Sequence, residues 1–243
     1  MADHIFTGSG VALITPTLSD GSVNYDVLGQ LLEFQVENGT DAIIICGTTG
    51  EAATLTEKEH CEVIAYASEK INGRIPVILY NVPSRTGCNI QPKTYAELCK
   101  HPNIKAAKEA SGNISQVALI RSLCGDNLDI YSGNDDQTVP FMSLGALGVI
   151  SVFANICPVE MHNICQYCLD NDFAEAQKLH FHYIELMNML FCDVNPIPVK
   201  TAMNLFGFEA GECRMPLVPM NLANYHNLKD CLAKYDLLDK YKK

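Results

Sequence analysis

The feature that most narrows the fold is an alternation running from the N-terminus to about residue 171. Short apolar or β-branched runs at 10–16, 41–47, 75–81, 104–111, 128–134 and 148–155 are separated by segments with a helical apolar stripe. Strands of period two interleaved with helices of period 3.6 make βα units, and each crossover helix returns the chain to the same end of the sheet, so the strands run parallel. The expected class is α/β. Helix starts are legible as well: Asn24 stands before Leu28, Leu31 and Leu32, and a Thr56-x-x-Glu59 capping box precedes Ile64, Ala67 and Ile71. Pro92 occupies a first-turn position, where its missing N–H costs nothing. After about residue 172 the strand signals stop, and 180–191, 198–206 and 221–235 read as helices only. The division expected is a βα part over 1–171 and a helical subdomain over 172–243.

Composition removes several function classes. A chain of 243 residues with 48% hydrophobic content can bury a substantial core. The net charge of −11, with no run of Lys or Arg, offers no path for a phosphate backbone, so nucleic acid is not an expected partner. Residues 1–10 lack a basic stretch followed by an apolar one, and no apolar run approaches the roughly 18 residues that span a bilayer. Eleven cysteines, an odd number in a chain too large to need staples, fit a reducing compartment. A cytoplasmic protein without a membrane partner is expected.

In parallel α/β folds chemistry gathers at the carboxyl ends of the strands. The second strand runs into Gly47-Thr48-Thr49-Gly50-Glu51, whose hydroxyls and close-approaching backbone suit a small anion, although a plain turn before a helix has the same look. The fourth carries Lys105 and Lys108, three positions apart and therefore on opposite faces, with Lys108 sharing its face with Ile104 and Ala106. An amine in apolar surroundings loses hydration, its pKa falls, and it becomes a nucleophile toward a carbonyl; the alternative is a lysine snorkelling from a strand end. The third ends in Tyr80, able to relay protons, and Arg85, able to fork onto a carboxylate. Sequential strands are usually neighbours, so Tyr80 and Lys108 are expected side by side.

Two clusters suggest metals without requiring them. Cys165 and Cys168 have CxxC spacing, yet with Met161, Ile164 and Leu169 they form one helical stripe, which reads as core. Asn134, Asp135 and Asp136 offer oxygens, but they lie between a strand and a helix, where such residues cap. No metal and no cofactor is expected.

Taken together, several ordered motifs resemble the dihydrodipicolinate synthase family: 10–16 (GVALITP), 47–51 (GTTGE), 80–87 (YNVPSRTG), 108–113 (KEASGN), 148–152 (GVISV) and 195–200 (NPIPVK). The resemblance implies a TIM-type (βα) barrel and a class I aldolase in lysine (diaminopimelate) biosynthesis. Pyruvate would form a Schiff base with Lys108, and the derived enamine would attack aspartate semialdehyde. Tyr80 would shuttle protons, with Thr48 bonded to it; Thr49 would hold the pyruvate carboxylate, Ile150 would touch pyruvate through its backbone, and Arg85 would receive the semialdehyde carboxylate. A homo-oligomer, dimer or tetramer, is implied too. Other members of the wider class act on sugar acids, and a catalytically impaired chain would serve as an assembly subunit.

The chain departs from that pattern in one respect. Such a barrel has eight strands, and six are readable here. After Arg74-Ile75-Pro76-Val77-Ile78 the chain passes directly to Leu79-Tyr80-Asn81, so two βα units would be absent, with a relay tyrosine that reaches across the family's subunit interface. Six strands closed on the same residues should be overpacked.

Overall fold

The computed structural model describes residues 4–71, 78–86, 89–100 and 105–238. Six parallel strands form one sheet: β1 (Gly8–Ala12), β2 (Ala42–Ile44), β3 (Ile78–Asn81), β4 (Ala106–Glu109), β5 (Asp129–Ser132) and β6 (Gly148–Ser151), in the order β2-β1-β6-β5-β4-β3. The strands are shorter than the sequence suggests. Past Ile44 the chain leaves the ladder and Cys46 takes a left-handed conformation, φ 53°. β1 starts two residues earlier than expected and ends at Ala12, although Leu13 N–H still donates to Ile44 C=O at 3.0 Å. The expected strand residues 75–77 and 104 lie outside the described set. Where a closed six-strand barrel would crowd its interior, β2 and β3 instead form the two ends of the order, and no pairing between them occurs among the described residues.

Between strands lie α1 (Tyr25–Glu37), α2 (Glu57–Ile71), a short α3 (Pro83–Thr86), α4 (Pro92–Leu98), α5 (Ile114–Cys124) and α6 (Thr138–Ser143), and α7 (Pro158–Leu169) follows β6. Their starts follow the sequence signals. Asn24 Oδ1 accepts from Val27 N–H at 3.1 Å, and Leu28, Leu31 and Leu32 are then fully buried. Each such leucine contributes about 1.5–3 kcal/mol by leaving water. At α2 the capping box is reciprocal: Thr56 N–H donates to Glu59 Oε2 (2.9 Å) and Glu59 N–H to Thr56 Oγ1 (3.2 Å). On α7, Met161, Ile164, Cys165 and Cys168 are buried, both cysteines as free thiols, so the CxxC spacing serves packing.

The remaining helices are α8 (Phe173–Met189), α9 (Ile197–Phe206) and α10 (Leu222–Lys234). Leu186, Phe206 and Leu228 join the same apolar cluster as Leu13 and Val149, so these helices share the core beneath the sheet. The opposite face of the sheet holds a smaller cluster of Ala12, Ala106, Tyr131 and Ile150. Backbone contact is tightest where β6 meets β1. A methyl on Gly148 (φ 158°) would sit 1.8 Å from Gly8 C=O, so only glycine fits there. Among the described residues, no helix is long and apolar enough to cross a membrane.

Candidate functional site

The two lysines of the fourth strand part as their spacing requires. Lys105 is exposed; Lys108 is buried, 9% accessible, on the face that Ala106 shares with Ile150 and Tyr131. Burial pushes the Lys108 ammonium down to about 8, and the charge of Asp135 pulls it partly back. At pH 7.5 about a quarter of such an amine is neutral, against about a thousandth of an ordinary lysine. Nucleophilic attack on a carbonyl is therefore open to Lys108 near neutrality. Its side chain is boxed by Gly133, at which a methyl would come within 3.2 Å of Lys108 Cε and 2.6 Å of Ala110 Cβ.

Tyr80 stands in register with Lys108 on the neighbouring strand, as the sequential order of strands predicts. The side chains of Tyr80 and Arg85 lie outside the described residues, and with them the expected bond from Thr48 to Tyr80. Thr48 itself is half-buried and its carbonyl accepts from Glu51 N–H at 3.1 Å. Thr49 is buried, and its Oγ1 accepts from Asn195 Nδ2 at 3.0 Å, which fixes the hydroxyl and leaves its proton to donate. Ile150, in β6, is fully buried, with its backbone paired to Gly10.

Four residues escape sequence reasoning because their partners are distant in the chain. Asn195 reaches Thr49. Lys200, buried at 1%, gives its Nζ to Glu51 Oε1 (2.7 Å), Glu212 C=O (2.8 Å) and Thr17 Oγ1 (3.2 Å). Arg214 N–H donates to the other Glu51 oxygen at 2.8 Å, so a left-handed Glu51 (φ 56°) is anchored by two segments near the C-terminus. The fourth is Asp135, expected to cap a helix. Instead its Oδ2 accepts from Val152 N–H (3.1 Å) and Phe153 N–H (2.9 Å), stapling the loop after β5 to the one after β6. Burial pushes its carboxyl up to about 6, while the Ser151 hydroxyl, those two amides and the charge of Lys108 draw it back. Among the described residues, no cluster of three or more His, Cys, Asp or Glu is placed to hold a metal.

A groove of about 970 Å³ lies elsewhere, lined by Thr17, Asp20, Thr54, Glu59 and Arg214. It contains no residue of β4, and its guanidinium is already spent: Arg214 donates to Glu59 at 2.6 and 3.0 Å, holding that carboxyl down to about 2. The buried amine with the lowered pKa lies at Lys108, away from this groove.

A profile of the dihydrodipicolinate synthetase family matches residues 5–79 and, separately, 75–235. The chain is 44% identical over 290 positions to 4-hydroxy-tetrahydrodipicolinate synthase of Caldicellulosiruptor saccharolyticus, covering 96% of this chain and 98% of that one. The enzyme of that name from Clostridium novyi is 44% identical over 289 positions, covering 96% and 97%. Among solved structures, dihydrodipicolinate synthase from Aquifex aeolicus superposes with a TM-score of 0.93 at 36% identity, covering 96% of this chain and all of that one. The Acinetobacter baumannii enzyme, solved in complex with pyruvate, gives 0.92 at 31%, covering 96% and 99%. Setting 290 aligned positions against 243 residues leaves at least 47 positions with no residue here, while the two family matches share residues 75–79.

Proposed function

This chain belongs to the dihydrodipicolinate synthetase family, whose fold is a TIM-type barrel with a helical C-terminal part, and on that premise we propose that it condenses pyruvate with L-aspartate 4-semialdehyde as a 4-hydroxy-tetrahydrodipicolinate synthase, a lyase of lysine biosynthesis. The observation that carries the reading is the buried, interior-facing Lys108 with its lowered pKa, beside an exposed Lys105 that has neither property. The neutral amine attacks the pyruvate ketone, water leaves, and an iminium forms. Loss of a methyl proton gives the enamine, whose carbon attacks the aldehyde of the second substrate. Tyr80 carries protons between these steps with Thr48 bonded to it, Thr49 donates to the pyruvate carboxylate, Ile150 lines the site through its backbone, and Arg85 receives the semialdehyde carboxylate. The pyruvate complex of the Acinetobacter baumannii relative supports the substrate assignment.

The barrel is read as six βα units over residues 1–171 and a helical part over 172–243. The absent positions fall between β2 and β3, the two ends of the strand order, and the doubly matched residues 75–79 mark the join. Two βα units of a parallel barrel would fill that interval. A homo-oligomer in the cytoplasm, with no cofactor, completes the proposal. The gap also favours a second reading, a chain that captures pyruvate but turns over poorly because part of its relay is gone.

One experiment separates these readings: the intact mass before and after pyruvate with borohydride, run beside turnover of aspartate semialdehyde. One reduced pyruvate on Lys108 with turnover is the expected result. An adduct without turnover supports the second reading, and no adduct on a correctly folded chain removes both.

A further inference from the structure

One residue after Tyr80 and Lys108, the same register pairs Asn81 with Glu109. Period two turns the Glu109 side chain away from the interior, toward α4 and α5, and there it is fully buried with Asn81, Tyr95 and Gln116. Asn81 Nδ2 reaches both of its oxygens, at 3.0 and 2.8 Å. Ser111 N–H donates to Oε1 at 2.8 Å, and the Tyr95 hydroxyl and Gln116 Nε2 donate to Oε2 at 2.9 and 3.4 Å. These donors are all neutral, and a carboxylate, which accepts at both oxygens, can serve them together. Burial makes a carboxylate a costly choice for packing alone, so the bonds it gathers are its use here.

The same Asn81 closes the loop that follows β3. Its Nδ2 also donates to Asn89 Oδ1 at 2.9 Å, and its Oδ1 accepts from Ile90 N–H at 3.1 Å. Asn89 is locked in turn to α5: its Nδ2 donates to Gln116 Oε1 at 2.8 Å, and its Oδ1 accepts from Gln116 Nε2 at 3.1 Å. Between these anchor points stands α3, whose backbone carries Arg85. Among the described residues β3 is paired to β4 alone, so the bracket on β4 braces a strand that lacks a second neighbour.

We propose that Glu109 is a positioning residue for the second substrate, the buried hub that, through Asn81, Asn89 and Gln116, fixes the loop carrying Arg85 against β4.

The inference rests on the reading of Arg85 as the group that receives the semialdehyde carboxylate. A guanidinium grips a carboxylate at two points, and a misplacement of about 1 Å can cost about 100-fold. Lys108 is carried by β4, whose ladder to β5 does not involve the bracket. Pyruvate capture is therefore independent of Glu109, and recognition of the second substrate is not.

Glu109→Gln tests this, because one acceptor oxygen becomes an NH₂ that faces other donors. The probe is succinic semialdehyde, which has the chain and carboxylate of the second substrate, titrated onto protein whose Lys108 carries borohydride-reduced pyruvate. The reduced adduct cannot condense, so binding is read without turnover. In Glu109→Gln the adduct yield should stay within about twofold of the parent while the Kd for the probe rises about tenfold. Asn89→Ala cuts the bracket at its half-buried end and should do the same, which covers a Gln variant that does not fold. Ile120→Val loosens the apolar cluster against α5 without touching a hydrogen bond, and should lower the urea midpoint with Kd unchanged. An unchanged Kd in the folded bracket variants, equal rises in all three, or loss of adduct together with affinity overturns the proposal. Arg85→Ala separates the proposal from its premise. If that variant binds the probe like the parent, or the parent forms no adduct, the Arg85 reading falls and exchange of the Ile90 amide judges the bracket by itself. That amide should exchange about tenfold faster in Glu109→Gln with β5 unchanged, and equal protection overturns the holding role of Glu109.

Discussion

The run of strands β4, β5, β6 and β1 and the two ends of the sheet, β2 and β3, are built from similar sequence and have different fates. In the run, every strand residue is buried, each strand is paired on both sides, and Lys108, Asp135 and Ile150 are held between an interior cluster and a helical layer. At the ends, Ala42, Ile43 and Ile44 of β2 are only half-buried, and pairing is seen on one side. Isoleucines do not seek water, so their exposure measures what the neighbouring chain fails to cover. The lesson is that the site divides between the two regions. Lys108 and Ile150 stand in the fully paired run, whereas Thr48 and Thr49 follow β2 and Tyr80 and Arg85 belong to β3 and the loop after it, where the absent units bear.

The strongest challenge to that division is substitution within β4. Lys108→Ala should abolish pyruvate capture entirely, whereas Lys105→Ala, on the exposed face, should leave it intact; comparable losses in borohydride trapping would dissolve the face assignment. Next in size is Lys200→Met, which strands the Glu51 carboxylate at 5% accessibility and should destabilise the fold by about 3–5 kcal/mol, read from the urea midpoint. Smaller again, Asn195→Ala frees the Thr49 hydroxyl and should weaken pyruvate affinity several-fold, about 1 kcal/mol, with little change in urea midpoint. Capture by the parent should rise with pH through about 8, because the reactive form is the neutral amine and burial lowers its pKa; a midpoint near 10.5 would place Lys108 in water. The mildest probe is hydrogen exchange. Amides of β2 should exchange faster than those of β5, and equal protection would mean that β2 is covered after all.

How much of this was legible beforehand follows from the range of each interaction. The six strands, the Asn24 cap and the Thr56 and Glu59 box rest on periodicity or on residues within a turn, and sequence exposes such patterns directly; period two puts Lys108 opposite Lys105 but does not say whether it is buried or snorkels from the strand end. Strand ends are less legible, because apolar runs continue past the last ladder bond, as at Ile45. Local spacing favours a capping role for Asp135, while its partners lie 17 and 18 residues on in another loop. Asn195 and Lys200 stood out only as parts of a motif. Nothing in their own segment says that a threonine and a glutamate some 150 positions earlier receive them.

That last contact has a consequence for how the molecule comes into being. The loop at 47–51 is among the first parts made, yet its glutamate is neutralised by Lys200 and its threonine is oriented by Asn195. During synthesis the growing chain must carry this acid without its base until about four fifths of the polypeptide has been made. The end of β2, where the pyruvate carboxylate is proposed to bind, is therefore the last piece to be set although it is translated early, and a ribosome-bound chain stopped before residue 195 should show βα structure with no capacity to hold a carboxylate at Thr49.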